Sequence, residues 1–342
     1  MKKSSLLSLH RWVALVFAPL ILLQAITGGM LVFRDPLARL LNPAAMTAHS
    51  HGVPADVGQL AAAAQDSTGR HIDRLFLPRE EGGVALARMQ GKSVPYVATL
   101  DPFTGKLLSR GSIWRFPTEA ALDFHYQLLR PPFGALVVIL TGLALLTVAT
   151  AGGLHWWPGR NKVAQALKIR KGLKGNMRLR AWHRTVGALA LLLIAFSSFT
   201  GLTIAATTLP PLSSQAVVER PLLSAATANA AVATARRVFP GSALRDVRFR
   251  SSGGFQVNFL APERNTQAVH SVEIGPNGRD VIRVVPASQN REPWVILLPL
   301  HTGTFLGAVG TLVLAMEALA LIFLAVSGPL SWWRKSRKKA RG

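Results

Sequence analysis

The chain has no cysteine, which excludes disulfides, thiolate-held iron-sulfur clusters and covalent attachment of a c-type haem. Any redox centre must then rest on His or Met ligands or on a noncovalently held group. Acids are scarce, 16 against 39 Lys plus Arg, for a net charge of +23. Nucleic acid would suit such a charge, but its placement points elsewhere. Arg160, Lys162, Lys168, Arg170, Lys171, Lys174, Arg178 and Arg180 fill one acid-free loop. Arg334, Lys335, Arg337, Lys338, Lys339 and Arg341 fill the tail, and Lys2 and Lys3 precede the first apolar run. Cations flanking apolar runs reflect membrane topology and attraction to anionic lipid, so the partner is the bilayer and no nucleic acid is expected.

Long apolar runs are what the chain does not lack. They cover roughly 12–33, 133–157, 186–209 and 305–330, and each has the ~20 residues needed to cross ~30 Å of hydrocarbon. The basic segments place both termini and the loop between the second and third runs on the cytoplasmic side. Nearly all the acids lie in the two long connections, which are then outside. Met1-Lys2-Lys3 and the run after it imitate a signal peptide, yet no small-x-small cleavage site follows. The run also repeats an internal span, so it reads as a retained first helix.

The repeat carries chemistry. Leu9-His10-Arg11-Trp12 opens a run reaching Thr27-Gly28, and Trp182-His183-Arg184-Thr185 opens one reaching Thr200-Gly201, an offset of 173. His125 stands ahead of a run closed by Trp156-Trp157, and His301 ahead of one closed by Trp332-Trp333, an offset of 176. The halves run in the same direction, which makes a parallel repeat with a pseudo-two-fold axis along the membrane normal. A lone membrane histidine is ordinarily a hydrogen-bonded core or interfacial residue. Four at repeat-equivalent helix ends, forming an inner pair (His10, His183) and an outer pair (His125, His301), suit the axial positions of haem iron.

Phasing adds detail. Gly28 and Gly201 each follow their histidine by 18 residues, five turns on, so they share its face about 27 Å further along. His125 and His301 each precede their Trp pair by 31 residues, or ~46 Å of continuous helix. Helices two and four are therefore expected to project past the outer hydrocarbon boundary. Arg11 and Arg184 are candidates to pair with haem propionates, or else interfacial anchors.

The outer segments resemble each other too. Val57 to Gln65 reads as helix, followed by strand-like runs at 72–77, 83–88 and 96–100 and the turn Asp101-Pro102-Phe103-Thr104-Gly105. Ala225 to Arg237 reads as helix, followed by strands near 244–249, 254–260, 270–274 and 281–285. Two small helix-plus-antiparallel-sheet units result, expected to co-pack into one body.

The LHRW-like start, the two outer units with a DPxTG-like turn, and the apolar helix ending in WWP with a basic tail resemble the PepSY-associated transmembrane family of iron-regulated inner-membrane proteins. That family includes dihaem siderophore reductases, and the resemblance covers almost the whole chain. It implies an α-helical membrane protein with four transmembrane helices as a tandem helix-pair repeat and periplasmic α+β PepSY-like units. It also implies a bacterial inner-membrane location, two b-type haems, and reduction of a ferric siderophore at the periplasmic face by electrons from an unknown cytoplasmic electron donor. The expected boundaries are helix one 1–33, first outer unit 34–120, helix two 121–157, basic loop 158–181, helix three 182–209, second outer unit 210–294, helix four 295–333 and tail 334–342.

Some residues leave choices open. His155 precedes Trp156-Trp157 where the repeat has Ser331, and is a reserve ligand for the inner site. His49-x-His51 is a weak metal motif, and Arg115 and Arg130 would attract anionic chelates. Glu317, an acid inside a span, is a functional candidate by default. It lies 16 residues from His301, about 160° round the helix, with bonding to another helix as the plainer reading. Gln24 returns near the His10 face and would bond between the haems or across helices. The rival function is a non-enzymatic membrane-anchored sensor or regulator, whose outer units bind peptides or a partner protein. A transporter gains from the parallel repeat but lacks an obvious broken-helix substrate site.

Overall fold

In hydrocarbon, a backbone with every N–H and C=O satisfied locally must be helical, and the four apolar runs meet that demand. The computed structural model describes residues 3–90, 94–129, 132–207, 209 and 224–339, with side chains to 337. Lys2, Arg130 and Arg341 lie outside the described residues. The chain begins with α1 (Lys3–Val32), then α2 (Arg34–Leu41), α3 (Pro43–Met46) and α4 (Val57–Thr68). Strands β1 (Ile72–Phe76), β2 (Ala85–Met89), β3 (Tyr96–Leu100) and β4 (Leu107–Ser112) follow, then α5 (Pro117–Gln127), α6 (Phe133–Trp156), α7 (Val163–Leu167) and α8 (Gly175–Thr207). The second half repeats the pattern with α9 (Ala225–Val238), β5 (Leu244–Phe249), β6 (Phe255–Leu260), β7 (Val269–Ile274), β8 (Val281–Val285), α10 (Pro293–His301) and α11 (Gly307–Lys339).

Two compact units result, a helical one of Met1–Phe33, Ala121–Pro210 and Leu300–Gly342, and a sheet one of Arg34–Ala120 and Pro211–Pro299. The helical unit contains four helices long and apolar enough to cross a membrane, α1, α6, α8 and α11. Each packs on two neighbours in the cyclic order α1, α6, α8, α11, so α1 faces α8 across the bundle and α6 faces α11. Small residues set the close approaches: a Cβ at Gly29 would lie 3.2 Å from Ala318, and one at Gly142 would lie 3.5 Å from Leu202. Such contacts are how helices associate where lipid removes the hydrophobic drive.

Helices two and four differ from the expectation of continuous rods over 121–157 and 295–333. The first breaks after Gln127, where Leu128 and Leu129 take φ of 47° and 61°. Pro131-Pro132 follows, and proline removes N–H donors and pushes its predecessor out of the helical region. The second breaks after His301, through Gly303 (φ 67°), a 3-10 turn at Thr304–Leu306 and Gly307 (φ 56°). In both, the chain folds back until backbones touch. A Cβ at Gly134 would lie 1.9 Å from the Gln127 carbonyl oxygen, and one at Gly310 would lie 1.9 Å from that of Gly303. The ~46 Å rod reckoned from helical rise does not form, and the histidine-bearing turn lies beside the start of its span.

The sheet unit is one eight-stranded antiparallel sheet ordered β4-β3-β2-β1-β5-β6-β7-β8. The two expected outer units are thus two four-stranded meanders joined at a β1–β5 seam, with Leu75 opposite Val247. β4 is an eighth strand the sequence pattern did not suggest. Alternation sends Leu75, Ala87, Val247 and Val257 to one face, where α4 and α9 pack to close a core with Leu60, Ala64, Ala228 and Phe259. On the other face Asp246, fully buried, takes a two-pronged bond from Arg74 at 2.9 Å to each oxygen and one from Asn258 at 2.8 Å. Burial alone would raise its pKa, but the Arg74 contacts hold it below the ordinary carboxylate value. Nearby Arg245 is pushed down to about 10 by burial and by the neighbouring Arg79. Glu119, also buried, pairs with Arg34 and lies 3.8 Å from Arg88. The Asp101 turn is closed by its own carboxylate, which accepts from the Phe103 and Thr104 amides at 3.0 and 2.9 Å.

Candidate functional site

The helix register brings the four repeat-related histidines of the helical unit together in two pairs. His10 on α1 and His183 on α8, helices that face each other across the bundle, have ring centres 6.4 Å apart and planes at 77°. His125 at the end of α5 and His301 at the end of α10 have ring centres 6.2 Å apart and planes at 39°. A metal-imidazole bond of about 2 Å on each side, with about 1.1 Å from nitrogen to ring centre, would separate two trans imidazole centres by about 6 Å.

The ring nitrogens of His10, His125 and His301 are committed in the same way, and Nδ1 of His183 is engaged as well. His10 Nδ1 meets the Val148 carbonyl oxygen at 2.8 Å, which only accepts, so Nδ1 carries the proton and Nε2 keeps its lone pair. His125 Nδ1 lies 3.2 Å from Thr27 Oγ1, and His301 Nδ1 lies 3.1 Å from Thr200 Oγ1. Each threonine already directs its one hydroxyl proton to carbonyls of its own helix, Leu23 at 2.8 Å for Thr27 and Phe196 at 3.0 Å for Thr200. The hydroxyl therefore accepts from Nδ1–H, and Nε2 is again the lone-pair nitrogen. His183 Nδ1 pairs with Ser327 Oγ at 2.8 Å. Anchoring one ring nitrogen so that the other presents a lone pair is how proteins orient metal-binding imidazoles.

Four glycines make room for the rings. A Cβ would lie 3.0 Å from His125 at Gly28, 2.8 Å from His301 at Gly201, 2.8 Å from His10 at Gly152 and 3.1 Å from His183 at Gly328. Gly28 and Gly201 lie at the outer level, as phasing predicts, but what each lets close is the imidazole of the outer histidine. Because Gly28 touches His125 and stands 18 residues beyond His10 on α1, the two levels are about 27 Å apart along the helix. Thr27, Thr200, Ser327, Val148, Gly152 and Gly328 were not assigned a role from sequence. The signal for several was present, since Thr27-Gly28 recurs at 200–201 and Gly152 recurs at 328, the same offset as His125 to His301.

The remaining candidates take lesser places. His155, half-buried, has Nδ1 3.1 Å from the Lys3 carbonyl and stands outside the His10–His183 ring contact. Arg11 is exposed and lies over the Trp12 ring, 5.1 Å from its centre, while exposed Arg184 reaches the Lys168 carbonyl at 3.5 Å. Gln24 bonds across helices, donating to the Phe124 carbonyl at 3.3 Å. Buried Glu317 accepts from Ser197 at 2.9 Å, the plainer of its two readings. Of the other histidines, His51 lies 3.8 Å from Glu81, and His270 stacks on Phe239 with ring centres 4.3 Å apart. Arg115 is an exposed residue of the sheet unit.

The donor set can be matched to a group. Among the described residues no group of three or more His, Asp or Glu is placed to hold a bare metal ion. Two imidazoles alone underfill a free zinc ion, which takes four ligands, but complete the coordination of an iron that brings four porphyrin nitrogens. A haem b fits each pair on three counts: the spacing, Nδ1 engaged so that Nε2 is left to face the partner ring, and the absence of cysteine for covalent attachment.

Fold and site define a class, a four-span helical membrane protein carrying a duplicated histidine pair and an inserted antiparallel sheet. The chain belongs to the PepSY-associated TM region family, whose model matches residues 7–335. No curated protein matches it significantly.

Proposed function

We propose that this protein is a dihaem electron conduit of the bacterial inner membrane that reduces Fe(III)-siderophores at the periplasmic face. Both termini would lie in the cytoplasm, as the basic loop and tail suggest. The observation that carries the reading is the pair of histidine contacts at 6.4 and 6.2 Å with Nδ1 engaged on all four rings. His10 and His183 would hold one haem b and His125 and His301 the other, and each haem supplies a one-electron Fe(III)/Fe(II) couple when bound.

The chain's own contribution is placement. Val148, Thr27, Thr200 and Ser327 fix the ring orientations, and the imidazoles so held would be the groups that bind the iron of each haem. Spans that exclude water would keep each pair in a low-dielectric setting, one of the levers by which a protein tunes a haem potential. The substrate would accept one electron, supplied by a cytoplasmic donor, at its Fe(III). Release follows because hydroxamate and catecholate oxygens are hard ligands that hold Fe(III) far better than Fe(II).

An anaerobic titration tests the proposal. The purified protein should show a Soret band, and after reduction with dithionite and removal of excess reductant, added ferric siderophore should reoxidise it. Absence of haem, or a reduced haem that the chelate never reoxidises, would sink the reading and favour a membrane-anchored sensor or regulator.

A further inference from the structure

At the end of the bundle that carries the basic loop, a cleft of about 430 Å³ opens between α8 and α11, lined by Gly175, Arg178, Leu179, Trp182, Phe323 and Arg334. Its wall is apolar and its two cations, Arg178 and Arg334, come from different helices. Neither is ion-paired among the described residues, and both are exposed. We propose that this cleft binds one anionic diacyl phospholipid, with the phosphodiester between Arg178 and Arg334 and an acyl chain along Leu179, Trp182 and Phe323.

Three observations favour a lipid over other anions. First, the cleft is on the outside of the bundle. On α8 its lining is centred about a quarter-turn from His183, while on α11 Phe323 and Arg334 stand four residues before and seven after Ser327, within about 40° of its direction but one and two turns away along the helix. Arg178 is thereby turned well away from His183, and exposed Arg334 lies about 10 Å beyond the level of Ser327, so neither belongs to the histidine pair. Second, an apolar floor beneath two cations matches a phosphate attached to acyl chain, whereas free phosphate would leave Trp182 and Phe323 uncovered. Paired cations at a helix seam near the membrane surface recognise anionic headgroups, and a planar guanidinium binds phosphate oxygens in pairs.

Third, the molecule contains its own negative control. The repeat-equivalent positions in the first half, at offsets of 173 and 176, are Lys2, Ser5, Leu6, Leu9, Thr147 and Pro158. Leu6 and Leu9 keep the apolar side on α1, but both arginines are gone and a single lysine, Lys2, stands at the place of Gly175, so the two-guanidinium seam occurs once per chain.

The test uses full-length protein, delipidated in neutral detergent, whose melting temperature is followed as lipid is added. Phosphatidylglycerol should raise Tm, while phosphatidylcholine and inorganic phosphate should not. R178Q/R334Q should need about twentyfold more phosphatidylglycerol for the same rise, on the order of fivefold per arginine. Its lipid-free Tm should match wild type. A second readout does not depend on that variant folding. Phosphatidylglycerol brominated in its acyl chains should quench part of the tryptophan fluorescence, and W182F should remove that part. The proposal is overturned if the double variant keeps the wild-type lipid requirement, if phosphatidylcholine or phosphate gives an equal rise, or if quenching is unchanged in W182F.

Discussion

The two histidine pairs have nearly the same ring spacing, yet the chain builds them by different means. The inner pair comes from unbroken helices, with His10 and His183 placed by register on α1 and α8. Its supports are unlike, a backbone carbonyl for His10 and a serine hydroxyl for His183. The outer pair sits in the last turns of short helices that fold back on their spans, and both its members lean on a threonine. An inner ligand is thus as stable as a helix. An outer ligand depends on a turn that contains two left-handed leucines, each costing on the order of 1 kcal/mol, or two left-handed glycines.

The largest expected effect separates the levels outright. His301→Ala or His125→Ala should remove the outer haem and leave the inner one, so that the haem-to-protein ratio falls by about half; His183→Ala should do the reverse. Loss of neither haem would refute the assignment. Next in size is the fold-back. Gly310→Ala drives a methyl against a backbone oxygen that no rotamer change can relieve, and should cost about 3 kcal/mol or more. It should abolish the outer signal while the inner one persists, as read by redox titration of two resolved potentials.

The supports come third. Thr27→Ala, Thr200→Ala and Ser327→Ala each remove one hydrogen bond, worth about 1 kcal/mol, with on the order of tenfold weaker retention of the metal group. The threonine changes should shift only the outer potential and Ser327→Ala only the inner. No substitution can remove the carbonyl partner of His10, so that half of the inner site should be the most tolerant of all. If Ser327→Ala moved the outer potential, the separation of levels would be wrong.

The smallest effect on the pairs should come from Asp246→Asn in the sheet unit. Removing one partner of a buried pair should destabilise that unit by about 3 kcal/mol, with both Soret and redox signals unchanged. Its pH dependence has a fixed sign. The folded pKa is depressed below the unfolded 3.8, so the stabilisation is present above about pH 4 and is lost as pH falls through the lower folded value. The variant's acid unfolding should be flatter over that window, measured by circular dichroism.

Much of this was legible in the sequence because it follows from periodicity. Apolar length marks the spans, and the offsets of 173 and 176 bring the four histidines into two pairs. Alternation marks seven of the eight strands. The breaks after Gln127 and His301 were not legible, since an apolar run gives no sign of where helix yields to a turn. Pro131-Pro132 and the glycines at 303 and 307 were the available hints. The β1–β5 seam joins segments some 170 residues apart in the sequence, and no local pattern announces such a pairing. The threonine and serine supports look like ordinary small residues of a span until the rings they hold are in place.

The seam at β1–β5 bears on why the repeat is one chain. Leu75 and Val247 lie opposite each other on a local dyad, so Arg74 and Asp246, each the residue before, hold the same position in their two halves. A symmetric dimer of either half would set arginine against arginine or aspartate against aspartate there, burying like charges. Only when the two copies are free to diverge can one keep the cation and the other the anion. The ion pair of Arg74 with Asp246 at 2.9 Å is therefore a contact that a homodimeric ancestor could not have made.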